Sequence, residues 1–160
     1  MNKQECLSFL LEHQVEVSVF EHPAVFNMEE MHAQHMPHDG QIAKNLFLRD
    51  DKKRSYYLLT VHGDRRLNLK QLRHIIGSRP LSLAPESDLE RLLGVRKGAV
   101  TPLGLLNDTE HQVRLYLDAS FQNELIGVHP MENTATVYLQ ANALLQLLHE
   151  CGCQAEWVNL

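Results

Sequence analysis

The sequence predicts an α+β fold, a mixed and mainly antiparallel β-sheet flanked by helices. Strand-like and helix-like segments alternate irregularly, without the steady βαβ rhythm of a parallel sheet. No internal repeat, low-complexity tract or Pro/Gly/Ser linker divides the chain, and 160 residues is the size of one domain, so residues 1–160 are expected to form a single domain. Hydrophobic residues at 44% and charged residues at 22% are ordinary globular usage and exclude disorder, collagen and coiled coil. A chain of this length buries about two thirds of its unfolded surface, enough for a core without staples.

Each element has a local reason. In residues 3–13, Cys6, Leu7, Leu10 and Leu11 share one helical face. Residues 15–20, VEVSVF, alternate as a half-buried strand, which His22-Pro23 breaks. Residues 28–36 read as a short helix stopped by Pro37 and a turn at Asp39-Gly40. Runs at 43–49 and 55–61, joined by the charged turn DDKKR, predict a hairpin. Leu69, Leu72, Ile75 and Ile76 predict a helix over 68–76 that Gly77 ends, and Pro85 stands as the first helical residue of PESDLERLLG, with Gly94 beyond its end. Strands are expected at 103–106, 112–117, 124–128 and 134–139, then a helix over 140–150 and a last strand at 154–158.

Cys6, Cys151 and Cys153 are too few and too unevenly placed for a secreted disulfide framework. The N-terminus lacks the pattern of a signal peptide, and no apolar run approaches a membrane span, so a soluble cytoplasmic protein is expected. The net charge of −5 argues against a general nucleic-acid coat. Between Lys52 and Arg79, however, eight basic residues face the single acid Asp64, giving +7 there and −12 on the remainder. A basic zone on an acidic body suits local contact with a phosphate backbone, with Arg65, Arg66, Lys70 and Arg73 as candidate contacts; solvated surface charge accounts for it equally well.

The chain has no Walker A loop, dinucleotide-binding glycine fingerprint, HExxH or GxSxG elbow. His32, His35 and His38, with His22 nearby, invite a metal reading, but Pro37 should end the helix before His38 and no acidic or cysteine partner keeps the register, so no metal is assigned. Cys151-Gly-Cys153 closes an amphipathic helix and reads as packing thiols before a redox pair. Three stretches are unlike core filler. Lys44-Asn45 opens an apolar strand, where a lysine is costly unless its ammonium reaches water or an anion. Gly98-Ala99-Val100-Thr101-Pro102 can form a bent loop that offers backbone N–H groups to a ligand oxygen. Gly127-Val128-His129-Pro130 sets a histidine at a strand end.

Taken in order, KNLFLRD (44–50), YYLLTV (56–61), GVRKGAVTPLGLLND (94–108) and GVHPMENTATVYL (127–139) resemble the YbaK / prolyl-tRNA-synthetase-associated editing domain family. Within it the chain looks most like the free-standing prolyl-tRNA editing proteins, which hydrolyse alanine from mischarged tRNA(Pro). The resemblance implies a mixed sheet wrapped by helices and a set of roles. The family's essential lysine falls on Lys44, with Asn45 beside it as a substrate contact. Its GxxxP loop falls on Gly98 to Pro102, so that the amides of Gly98, Ala99, Val100 and Thr101 would hold the ester carbonyl oxygen. Its GxHP histidine falls on His129. Phe20 stands where relatives carry a pocket aromatic, in some of them a tyrosine whose hydroxyl is absent here. His22, Val25 and Met28 are weaker wall candidates.

An activated ester needs orientation, a stabilised oxyanion and a placed water more than a strong nucleophile. The resemblance implies water attack helped by the neighbouring 2′-hydroxyl of the terminal adenosine, with Lys44 polarising the ester, the Gly98 loop receiving the charge and His129 orienting the substrate. No cofactor is implied; the expected partners are the tRNA(Pro) acceptor end and prolyl-tRNA synthetase, with no membrane and a monomer favoured. A deacylase of Cys-tRNA(Pro) or another small aminoacyl-tRNA, a non-catalytic tRNA- or synthetase-binding module, and a zinc hydrolase are the alternatives.

Overall fold

β3, Tyr56–His62, shows why the chain folds in layers: Tyr56 and Leu58 enter one apolar cluster while Leu59 and Val61 enter another on the opposite face. The computed structural model describes all 160 residues. In chain order the elements are α1 (Lys3–Glu12), β1 (Ser18–Glu21), α2 (Met28–His32), β2 (Ala43–Asp50), β3, α3 (Leu69–Ile76), β4 (Leu81–Leu83), α4 (Glu86–Leu93), β5 (Val113–Asp118), β6 (Leu125–Val128), β7 (Ala135–Gln140), α5 (Ala141–Glu150) and β8 (Gln154–Val158). Short 3₁₀ turns occupy Asp39–Gln41, Pro102–Asn107 and Ala119–Phe121.

A five-stranded sheet runs β4-β2-β3-β5-β8, and a three-stranded sheet runs β1-β7-β6. β2 pairs antiparallel with β3 and β4, whereas β3–β5 and β5–β8 are parallel. The small sheet is antiparallel throughout, and one parallel bridge, Ile42 to Gly127, ties it to the start of β2. The main core lies between the two sheets: Phe47, Leu58, Leu115 and Leu117 meet Ile126, Val128, Val137 and Leu139, sealed by α4, α5 and the 102–107 turn. α3 covers the other face of the large sheet through Leu72, and α2 covers the small sheet through Met31 against Val25, Ile42 and Tyr138. The fold is the expected α+β architecture.

Four local readings change. Residues 103–106 form a 3₁₀ turn, because Pro102 cannot donate to a ladder and Thr101 Oγ1 caps the turn by accepting from Leu103 N at 3.3 Å. The first strand covers only Ser18–Glu21, since Val15 and Val17 pack against the main core before β1 meets β7. The helix expected to 36 ends at His32, and Pro85 is the extended residue before α4 rather than its first helical one. β4 is an additional strand. Gly77 and Gly94 stop α3 and α4 at φ +68° and +65°, as expected of left-handed caps.

Candidate active site

β4 pairs only with Leu48–Asp50, so the first half of β2 is left open on that side. Against this open stretch, α2, the segment before it and the Gly98 loop enclose a cleft of about 400 Å³. Lys44, Asn45, Gly98, Val100, His129, Val25 and Met28 all line it, so residues more than 100 positions apart converge there.

Lys44 sits opposite Val61 in the hairpin and is half-buried. No carboxylate lies within ion-pair distance of its ammonium, and it makes no hydrogen bond to the protein. A partly desolvated cation without a partner is held at a cost, and it is a ready receptor for an anion or a polarised oxygen. Asn45 faces Thr60 across the ladder and accepts a 2.6 Å bond from its Oγ1, which fixes the amide and leaves its NH₂ to donate.

Gly98 adopts φ +88°, and a Cβ added there would come 2.8 Å from Phe26 Cδ1 and 3.1 Å from Asn133 Nδ2. Both the left-handed backbone and the close approach demand glycine. The Ala99 amide donates to Arg96 O at 3.0 Å, while those of Gly98, Val100 and Thr101 donate to no protein acceptor. Gly98 and Val100 therefore bring unsatisfied donors to the cleft.

His129 Nδ1 lies 2.8 Å from Ala135 O. A carbonyl can only accept, so Nδ1 carries the proton and Nε2 is the acceptor of the neutral ring. Burial pushes its pKa below the usual histidine value and the nearby His22 adds to this, against the Ala135 hydrogen bond, so the ring is neutral at pH 7. His22 lies with its ring 6.1 Å from that of His129, hydrogen-bonded through Nε2 to Thr136 Oγ1 at 2.9 Å.

Other expected wall residues lie elsewhere. Phe20 packs edge-on against Tyr138 in the cluster beneath α2, away from the cleft lining, and His22 stands behind His129. Ala99 is buried toward a neighbouring cleft, Thr101 is fully buried as a cap, and Pro102 is buried in the turn it opens. Phe26, Asn27, Met31, Ile42, Ala43 and Gly63 line the cleft without having been singled out from sequence. Asn27 had a readable signal: its side chain caps α2 by accepting from Glu30 N at 2.8 Å. Gly63 had none, because its lack of a Cβ matters only through distant neighbours: a Cβ there would collide with Met28 Cε and come 3.1 Å from Ile42 O.

The basic segment separates in space. Arg66 and Lys70 are exposed and unpaired beyond the cleft end of β3, while Arg65 Nε is bound at 2.9 Å to buried Asp118. Burial pushes the Asp118 carboxyl up, but the Ser120 amide, Arg65 and the His62 amide together hold it below the usual carboxylate range. Arg73 is half-buried. His32 Nδ1 pairs with Asp39 Oδ2 at 2.5 Å and its Nε2 reaches to 3.6 Å from Asp64, and no three His, Cys, Asp or Glu side chains gather to hold a metal ion. All three cysteines are free, and burial pushes the Cys6 and Cys153 thiols up to about 11. No helix is long and apolar enough to cross a membrane.

Residues 22–147 match the model of the aminoacyl-tRNA editing domain. The chain belongs to that family. This editing domain is 37% identical over 151 residues to the prolyl-tRNA editing protein ProX of Acetoanaerobium sticklandii, covering 94% of this chain and 92% of that protein. It is 41% identical over 153 residues to the prolyl-tRNA synthetase associated domain-containing protein 1 of Danio rerio, covering 92% and 82%. A solved structure described as a candidate trans-editing enzyme for prolyl tRNA synthetase superposes with a TM-score of 0.72 over 100% of this chain and 98% of that one, at 23% identity. That likeness places the editing domain's fold.

Proposed function

We propose that the protein is a trans-editing deacylase that hydrolyses alanine from mischarged tRNA(Pro), residues 1–160 acting as one editing domain. The observation that carries this reading is the unpaired ammonium of Lys44 in an apolar cleft, beside the free amides of Gly98 and Val100 and the neutral ring of His129. The names of the relatives support tRNA(Pro) as the nucleic acid and prolyl-tRNA synthetase as the associated enzyme, and a cytoplasmic setting follows from that work.

In this reading Lys44 polarises the ester, the loop amides receive the negative charge on its carbonyl oxygen, and His129 orients the substrate. Water adds to the carbonyl carbon, the bond to the ribose oxygen breaks, and that oxygen leaves with a proton relayed through the neighbouring ribose hydroxyl. Free alanine and uncharged tRNA result, and no covalent enzyme intermediate forms. Val25, Met28, Met31 and Ile42 give the apolar wall a methyl side chain needs. Asn45 is placed to meet the amino group or a ribose hydroxyl. Arg66, Lys70 and Arg73 take phosphates, while Arg65 serves mainly through Asp118.

A cleft of about 400 Å³ also admits cysteine, so Cys-tRNA(Pro) is the second reading. The test is loss of the aminoacyl ester from Ala-tRNA(Pro), with Lys44→Ala in parallel. Rapid deacylation that falls about 10²–10³-fold in the variant is expected, the size of a lost oxyanion contact. No release from Ala-tRNA(Pro) with release from Cys-tRNA(Pro) would shift the substrate. Release from neither, with tRNA still bound, would leave a binding module.

A further inference from the structure

Phe26 is 62% exposed, an unusual position for a large apolar ring, yet its backbone is firmly held. Its amide donates to Glu30 Oε2 at 2.6 Å, and Val25 is clasped by Asn133, whose Nδ2 donates to Val25 O at 2.7 Å while Val25 N donates to Asn133 O at 3.2 Å. The ring lies against Gly98 in space that any side chain there would fill. Phe26 is also the residue shared by two clefts. One is the Lys44 cleft; the other, of about 790 Å³, lies across the Gly98 loop and has Arg96 and Lys97 in its wall. Both cations are exposed and neither is ion-paired. The same wall carries Glu5, which accepts from Asn2 N, Glu86, which accepts from Lys97 N, and Glu132; none is ion-paired, so a phosphodiester strand there must follow the Arg96–Lys97 side of the cleft.

We propose that Phe26 is a stacking platform for the nucleobase of the aminoacyl-bearing nucleotide, and that the second cleft carries the phosphodiester strand leading to it along Arg96 and Lys97. This rests on the editing reading above. With the aminoacyl group beside Lys44, its ribose lies at the cleft mouth and the base must settle within one nucleotide's reach. The exposed Phe26 ring, which lines both clefts, offers an apolar face there. Aromatic stacking with flanking cations is how proteins hold single-stranded nucleic acid with little sequence preference.

The test is an NMR titration of the full chain with a short uncharged RNA ending in CCA. Shifts at the amides of Phe26, Arg96 and Lys97 are expected, with binding roughly 5- to 150-fold weaker in Phe26→Ala, the equivalent of about 1–3 kcal/mol of stacking. Phe26→Trp should retain it. Binding indifferent to Phe26→Ala, shifts confined to Arg66 and Lys70, or no binding at millimolar RNA would each overturn the proposal. In deacylation, Phe26→Ala should raise KM with kcat at saturation retained, and a fall in kcat alone would count against stacking. If no aminoacyl-tRNA is deacylated, the editing reading falls, and the RNA titration still decides the role of Phe26.

Discussion

The two ends of the β2–β3 hairpin treat their charges in opposite ways. At the turn, roughly 20 Å from Lys44 at about 3.3 Å per residue, three guanidinium groups are matched and only that of Arg54 stands free in water. Arg79 holds Asp51 through bonds of 2.6 and 3.1 Å, and Arg49 and Arg91 meet Asp88 at 3.0 and 2.9 Å. Asp50 Oδ1 accepts from the Arg54 amide at 2.9 Å and so closes the turn, while Lys52 and Lys53 stand in open water. At the other end Lys44 is half-buried and has no partner. The paired end is built for stability. The unpaired end accepts a cost in the free protein that a bound ester would offset, and the location of that cost marks the site.

That contrast can be broken most severely at Lys44. Lys44→Ala should lose deacylation about 10²–10³-fold while its unfolding free energy stays level or rises, because the change removes a half-buried charge. A variant that unfolds more easily would make Lys44 a structural residue, and paired urea melts with single-turnover rates would show it.

Asp88→Ala is the mirror case. Burial works to raise this carboxyl, and the hydrogen bonds from Arg91, Tyr56 and Arg49 outweigh it, holding it below the usual range. Losing it should cost about 1–3 kcal/mol of stability with the rate per folded molecule unchanged. The loss should be present above about pH 3.8 and fade below it, where the unfolded carboxyl takes its proton first. A drop in kcat would mean that the two ends are coupled.

Charge reversal separates the ends by salt dependence. Arg66→Glu and Lys70→Glu should each weaken tRNA binding and lower the slope against log salt by about 1. Lys52→Glu should do less if tRNA contact is confined to the cleft end. Arg65 is the poorer choice, since a glutamate there would confront Asp118.

The smallest effect belongs to His129. Its folded pKa lies below 6.5, so the unfolded chain takes up the proton first. Stability is therefore whole above pH 6.5 and declines as pH falls through the window beneath. His129→Gln should flatten that part of a urea-midpoint profile, whereas an unaltered profile would place the titration outside His129.

Much of this molecule was legible in the linear chain. The hairpin, α3, α4, α5 and β5 to β8 follow from periodicity and from Gly77 and Gly94, because burial on one or both faces writes itself into local spacing. Lys44, Gly98 and His129 stood out because a cation in an apolar strand, a glycine four residues before a proline and a histidine locked by a proline are each locally anomalous. The 102–107 segment is apolar enough for a strand and becomes a turn for a local reason, the Thr101 cap and Pro102 at its start. Three features were invisible until the chain closed on itself. Phe20 is expected in the pocket wall and packs against Tyr138 instead, while Phe26, which no local pattern singles out, stands between two clefts. The pairing of Arg65 with Asp118, 53 residues away, removes one cation from a patch that charge counting treats as uniform. Local pattern decides what each segment can become, since periodicity and caps act within a few residues. Which side chains share a cleft, and which charges find partners, is decided only by contacts between distant segments.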